Sequence, residues 1–516
     1  MRSYRTGRSV VNFATGLVLQ IMTLGIGLVS TPMLLSWLGD DRYGAFRAAT
    51  DWGNYLNLLE LGIGGSLLAL LAKAVGIGDR QLIRLTLATA IRTYLNIMAG
   101  MILVGVGLGC FITYLVPVKG LLVGELQKGY WLGLLGILLL PLNSFRLLAA
   151  ASQRSYTDNV FVIFQSLIIT SVSLLLARAR FGITGQYIAV LLGNIFFQLV
   201  MCCDGLRRYP DVFTYLGDRK SQLPIEKQLW QLNWPTLALN FSGQMSLFTD
   251  NIIISYSLSP ATVVPFFVTQ RLTALAQSQI QGIGNATWAA LADLYAKGER
   301  EKFNARLIEL TRLVAVMGLG LMVTIAGYNH YFIKLWVGED RFGGDGVTIL
   351  AACNGLFLGL LSLWGWCFSG TGNQPKLVRP ATLAAVINFL VSIISTHFFG
   401  IIGPLLGTFI AFTTVSLWQL PLLMQEVFGT SLRQLFFAVA QPLAVGLPYG
   451  LIVWWIAKSH TPWGWLGLAA EMVLTALIYF AIAWLLVLNE FERKQWSDRL
   501  KMLYSILGRY AHYSKL

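Results

Sequence analysis

Long apolar runs alternate with short polar breaks along almost the whole chain. A membrane-crossing helix needs ~20 mostly apolar residues. Fourteen runs meet that length, at about 10–37, 44–72, 85–116, 130–150, 157–179, 182–203, 229–258, 262–292, 307–333, 346–369, 377–399, 401–424, 434–457 and 463–488. The period-two alternation of a transmembrane barrel is missing. The pattern predicts an all-α polytopic membrane protein with about 14 transmembrane helices.

Part of the pattern occurs twice. Residues 62–80 (GIGGSLLALLAKAVGIGDR) answer residues 282–300 (GIGNATWAALADLYAKGER) at an offset of 220. Phe181, Gly182, Ile183 and Gly185 return as Phe399, Gly400, Ile401 and Gly403, an offset of 218. Such self-similarity signals an internal duplication. The offset carries six spans, an even number, so both copies enter the membrane the same way up. The expected plan is two parallel-repeat lobes of six helices related by an axis along the membrane normal. Residues 1–204 form the N-terminal lobe, 205–228 a cytoplasmic linker and 229–426 the C-terminal lobe. Residues 427–516 add two further helices and a cytoplasmic tail.

Composition agrees. The chain has 516 residues, 56% hydrophobic and only 12% charged, with a mean hydropathy of +0.64. The net charge of +14 therefore points to topology, not to nucleic acid. With the N-terminus inside, 26 Lys and Arg fall on inner segments and nine on outer ones. That bias predicts both termini in the cytoplasm. The basic start, MRSYRTGR, leads into an apolar run too long for a cleaved leader, so it reads as a first span. Five cysteines without a C-x-x-C pair and four scattered histidines give no disulfide framework and no metal site.

The candidate chemistry lies in charges inside spans. A charge at the bilayer centre costs at least ~2.5–3.5 kcal/mol and usually faces a polar cavity or a partner. Arg47, Asp51, Glu60, Arg92, Arg146, Asp250, Arg271 and Glu471 are such residues. Arg47 and Asp51 stand i,i+4 on one helical face and can pair. Asp51 and Arg271 are equivalent in the repeat, so the lobes present opposite charges at matching depths. A salt bridge that only holds the fold is the alternative for this set. Glycines such as Gly62, Gly64, Gly282 and Gly284 suit close helix packing or hinges. The chain has no H-E-x-x-H, no G-x-S-x-G and no large outer loop for catalytic groups, so no enzyme is expected.

Several motifs look familiar in order and spacing. Pro32 to Phe46 reads PMLLSWLGDDRYGAF, and Leu58 to Leu67 reads LLELGIGGSL. In the second half come Asp250-Asn-Ile-Ile-Ile, Gln270-Arg271-Leu272, Leu335-Trp336-Val337-Gly338, Ser369-Gly370-Thr371-Gly372-Asn373 and Phe399-Gly400-Ile401-Ile402-Gly403. Over roughly residues 10–430 the chain resembles the bacterial polysaccharide and O-antigen flippases. These belong to the multidrug/oligosaccharidyl-lipid/polysaccharide exporter (MOP) superfamily.

The resemblance implies two six-helix lobes around a central cavity that opens alternately to each side of the cytoplasmic membrane. It implies transport of undecaprenyl-diphosphate-linked oligosaccharide units for surface polysaccharide biosynthesis, O-antigen or exopolysaccharide. The partners would be that substrate, membrane lipids, and polysaccharide polymerase and export machinery. An anionic diphosphate needs cationic walls, and arginine suits phosphate through its bidentate donors. Arg271, Arg47 and Arg146 are the expected diphosphate ligands. Asp250, Asp51 and Glu60 are the expected ion-coupling residues, with no cofactor beyond an H+ or Na+ gradient. In the related lipid II flippases the last two of fourteen spans line a lipid-tail groove; the sequence motifs do not extend that role to the last two helices here. A cation-coupled multidrug or small-solute antiporter of the same superfamily is the alternative, with a smaller, more acidic and aromatic cavity. A polysaccharide polymerase or ligase is a third reading.

Overall fold

A computed structural model describes residues 2–60, 62–488, 490, 492–494, 497 and 498, with side chains outside 2–10, 13, 231–236 and 244–248. Of the C-terminal tail expected after the last span, residues 499–516 lie outside the described set. The described residues are helical and contain no strand.

Every one of the fourteen apolar runs has a helical counterpart. In chain order these are α1 (Arg2–Tyr55), α2 (Ile63–Ile77), α3 (Arg80–Leu115), α4 (Leu121–Leu135), α5 (Asn143–Ala151), α6 (Ser155–Arg178), α7 (Gly182–Arg208), α8 (Arg219–Ser257), α9 (Val263–Thr269), α10 (Arg271–Ala296), α11 (Arg300–Trp336), α12 (Asp345–Gly370), α13 (Val378–Phe399), α14 (Gly403–Ala411), α15 (Leu417–Phe428), α16 (Leu432–Ser459) and α17 (Gly464–Leu486). The helices outnumber the runs because several runs are broken within their length. The 44–72 run contains the end of α1, a 3-10 segment Leu56–Glu60 and α2. The 130–150 run contains the end of α4, a 3-10 segment Gly136–Leu142 and α5. The 401–424 run contains α14, a π segment Phe412–Ser416 and α15. Conversely, α1 merges two runs across a kink at Gly39, where φ is +76°.

The repeat is visible as matching turns. Gly78 ends α2 with φ +80° and donates to Ala74 O; Gly298 follows α10 with φ +74° and donates to Tyr295 O. A left-handed residue at the helix end favours glycine, which has no Cβ to clash. Two positions on, a new helix starts in each copy, at Arg80 and at Arg300. Asp79 caps α3 by accepting from the backbone N–H of Gln81 and Leu82 at 2.8 and 3.2 Å. Glu299 precedes α11 and pairs with Lys302 at 2.8 Å. The second echo marks another turn: Gly182 has φ +56° and Gly400 φ +60°.

By packing, the chain divides into two compact units. Unit 1 comprises residues 1–268, 336–341 and 377–411; unit 2 comprises 269–335, 342–376 and 412–516. In unit 1 the core runs through Leu56, Ile63, Leu67, Tyr94 and Met101 on one side and Leu71, Ile83, Leu87, Phe145 and Val212 on another. Val212 belongs to a 3-10 segment, Pro210–Gly217, so the connection between the two sequence copies packs as structure. Arg92 secures it, donating to Leu216 O at 3.1 Å and to Gln222 at 3.3 Å. In unit 2, the Phe428 ring lies tilted 5.0 Å from both the Phe303 and the Phe368 rings, and Asn329 donates to Thr269 O and to Thr348. Glu471, an in-span charge in the sequence, pairs with His460 at 3.0 Å.

Candidate functional site

Unit 1 holds a cavity of about 650 Å³ inside its helices. Its walls come from α1, α3, α4, α5, α6, α7 and both 3-10 segments. The two interruptions of regular helix sit at this cavity, and unwound backbone inside a membrane is tolerated where it lines a polar space. Asn57 and Glu60 enter from the first 3-10 segment, and Gly136, Ile137, Leu139 and Leu140 from the second.

Glycines shape one wall. Gly129 and Gly133 stand i,i+4 on α4, and a Cβ at either would lie 2.6 Å from the Tyr187 ring. The missing side chains form a slot that seats this ring of α7, which also meets Phe46 edge-on at 5.3 Å. Tyr130 donates to Gly105 O at 3.0 Å and fixes α4 on α3.

The polar groups are mostly amides. Asn54, Asn57, Asn143, Gln165, Asn194 and Gln198 line the cavity. Gln165 donates to Asn194 at 2.8 Å, and one turn on, Gln198 Oε1 is buried without a hydrogen-bond partner among the described residues. Two charged residues complete the lining. Glu60 accepts from the Tyr94 hydroxyl at 2.7 Å. Arg146 is paired with Asp158, through Nε at 2.9 Å and Nη2 at 3.2 Å, and lies 5.7 Å from the Phe197 ring centroid.

The structure does not bring the three candidate arginines together in this cavity. Arg146 lines it. Arg47 lies over the Phe267 ring, 4.3 Å from its centroid, and is a favourable electrostatic neighbour of Asp51. Arg271 opens α10 in unit 2, where it is half-buried.

The acidic candidates also separate. Glu60 faces the cavity, whereas Asp51 and Asp250 form a second polar cluster between α1 and α8. There Asp51 is buried and accepts from Asn251 at 2.7 Å and from Asn54 at 3.3 Å. Asp250 is close enough for the Asp51 charge to act on it, and its Oδ1 is buried without a hydrogen-bond partner among the described residues. Tyr55 and Thr249 share a short hydroxyl contact of 2.5 Å beside the two carboxylates.

No family model matches the chain. Among solved structures, the lipid II flippase MurJ in an inward closed conformation superposes with a TM-score of 0.66 at 14% identity, covering 92% of this chain and 99% of MurJ. A multidrug resistance MATE family transporter of the MOP superfamily, inward-facing, superposes with a TM-score of 0.57 at 17% identity, covering 81% of this chain and 99% of its own. The chain has the fold of these two proteins. In sequence it is similar to a Salmonella typhi protein described as "Putative O-antigen transporter", 22% identical over 442 residues, 82% of this chain and 97% of that one. All three are described as transporters or flippases.

Sequence reasoning passed over the amides of the cavity. Asn194 and Gln198 stand i,i+4 on an apolar helix, and Asn54 and Asn57 i,i+3 at a helix end. A polar face on an otherwise lipid-compatible helix is itself a sign of an internal space.

Proposed function

We propose that this protein moves an undecaprenyl-diphosphate-linked oligosaccharide from the cytoplasmic to the outer leaflet of the bacterial inner membrane. The composition of the cavity lining carries the reading: six amide side chains around one arginine and one glutamate. Amides offer donors and acceptors together, which suits sugar hydroxyls. An arginine fork suits a phosphate. A volume of about 650 Å³ lies within the range of ~300–1,000 Å³ usual for small-molecule sites. A multidrug antiporter would be expected to show a more acidic and aromatic lining than this one.

The charge bias along the chain supports an orientation with the end of α5 on the cytoplasmic side. Arg154, on an inner segment, ends the turn after α5, and Arg146 lies eight residues earlier. α5 itself ends at Ala151, five residues after Arg146, so at 1.5 Å per residue Arg146 lies ~7.5 Å from the end of the helix. The headgroup would therefore meet Arg146 soon after leaving the inner leaflet, with the amides of α6 and α7 receiving the sugars.

Gln198 tests the sugar part. An unpaired buried acceptor is costly, and a ligand hydroxyl or N–H would satisfy it. Gln198→Leu is expected to weaken binding of undecaprenyl diphosphate carrying its oligosaccharide, by about fivefold to a hundredfold for one or two lost hydrogen bonds. Binding of undecaprenyl diphosphate alone should stay the same. Isothermal titration on purified protein with both lipids reads the difference. Equal loss for the two lipids would remove Gln198 from the sugar site.

A further inference from the structure

Two arginine–carboxylate pairs of similar geometry stand close together in the sequence of unit 1. Arg154 reaches Asp204 through Nη1 at 2.8 Å and Nη2 at 3.1 Å, and its side chain is 9% exposed. It joins the turn after α5 to the end of α7. Arg146 reaches Asp158 through Nε and Nη2, and its side chain is 48% exposed, against 15% for Asp158. Arg146 lines the cavity; Arg154 does not. The buried pair ties the helices together at this end of the unit. The second pair adds little to that tie, and partly exposed ion pairs contribute only ~0–1 kcal/mol.

Its geometry has another use. Two carboxylate oxygens on two nitrogens of one guanidinium reproduce the contact that two phosphate oxygens make. Asp158 is fixed by its own position, in the first turn of α6, where the helix N-terminus favours a negative charge. Arg146 is the more accessible partner, on a cavity wall beside the Phe197 ring. An anion entering the cavity therefore meets a cation whose fork is already occupied by a carboxylate that has a second source of stabilisation.

We infer that Asp158 is a resident counter-ion that holds the Arg146 fork in the substrate-free protein and is displaced by the substrate diphosphate. The inference rests on the reading of Arg146 as the diphosphate ligand. It assigns Asp158 a positioning role with two effects. Competition from Asp158 weakens diphosphate binding. Return of Asp158 to the fork then helps expel the diphosphate after transport, because the guanidinium is not left bare. A ligand that binds the two states differently can drive the change between them, and a competing internal anion limits how long it stays.

The test uses the full-length protein in lipid nanodiscs, with undecaprenyl diphosphate as the probe. Asp158→Asn keeps the shape of the side chain and removes its charge. It is expected to tighten binding about two- to fivefold, the worth of a partly exposed ion pair. In transport, both KM and kcat should fall, because release slows. Asp204→Asn, which breaks the other pair, should leave affinity unchanged. Asp158→Ser offers the same comparison where the Asn variant does not fold. Weaker binding in the folded Asp158 variants would overturn the inference, because Asp158 would then orient Arg146 for the ligand. Unchanged affinity would overturn it too. The reading beneath is judged separately: if Arg146→Ala binds undecaprenyl diphosphate as well as the unmodified protein, Arg146 is not the ligand.

Discussion

Arg146→Ala is expected to abolish export of lipid-linked oligosaccharide while the protein still inserts and folds. Arg146 is the only arginine in the lining of the unit 1 cavity among the described residues. Hydrogen bonds to a charged group are worth about 1.5–3 kcal/mol, so losing the guanidinium–phosphate contact corresponds to roughly 10- to 150-fold in affinity. The single variant also leaves Asp158 without its partner. The double variant Arg146→Gln with Asp158→Asn removes both charges and keeps the site neutral, so its loss of binding reports on the ligand contact alone. Arg146→Lys should restore part of the export, since a lysine returns the charge but not the planar fork. Surface polysaccharide in a strain lacking its own flippase, normalised to the membrane content of each variant, measures the effect. Full export by the folded double variant would free Arg146 of any substrate role.

Asp250→Asn is expected to remove the dependence of transport on an ion gradient. Asp51 and Asp250 come from α1 and α8, and the charge of one acts on the other. Two like charges in a low-dielectric setting are costly unless a proton or a cation joins them. Two amides hydrogen-bond to Asp51, while among the described residues Oδ1 of Asp250 has no such bond. Asp250 is therefore the carboxylate that gains most from taking up a proton or Na+. Its neutral amide would mimic the loaded state permanently. Transport by the variant should run at one rate with and without an imposed gradient, in vesicles where the unmodified protein responds to it. A variant that keeps the full gradient response would clear Asp250 of coupling and leave the cluster a structural one.

The helices were legible because their signals are local. Apolar runs of span length each gave a helix, and the repeated glycines at 78 and 298 and at 182 and 400 all occupy left-handed turns. A glycine at such a turn reports its own backbone, whatever surrounds it. The cavity was less legible. Glu60 and Arg146 stood out as charges within spans, and both line it. Arg47 stood out equally but lies over the Phe267 ring and outside the lining of this cavity, because a sequence shows the presence of a charge and not the direction of its side chain. The 3-10 breaks at Leu56–Glu60 and Gly136–Leu142 lie within unbroken apolar runs, so hydropathy passed over them. The amides escaped notice because they are uncharged and lie far apart in the chain, at Asn54, Asn143, Gln165 and Gln198, and only the packing of several helices assembles them.

The central claim is that this fold carries a sugar on a diphosphate lipid across the membrane. Purified protein reconstituted into vesicles loaded with fluorescent undecaprenyl-diphosphate oligosaccharide tests it most directly. The reading is the fraction of that lipid accessible, over time, to a membrane-impermeant quencher on the far side. The account predicts that accessibility rises with the unmodified protein and stays at the protein-free level with Arg146→Ala. It would be contradicted by vesicles in which the unmodified protein leaves that lipid where it started while exchanging a cationic drug for H+ or Na+.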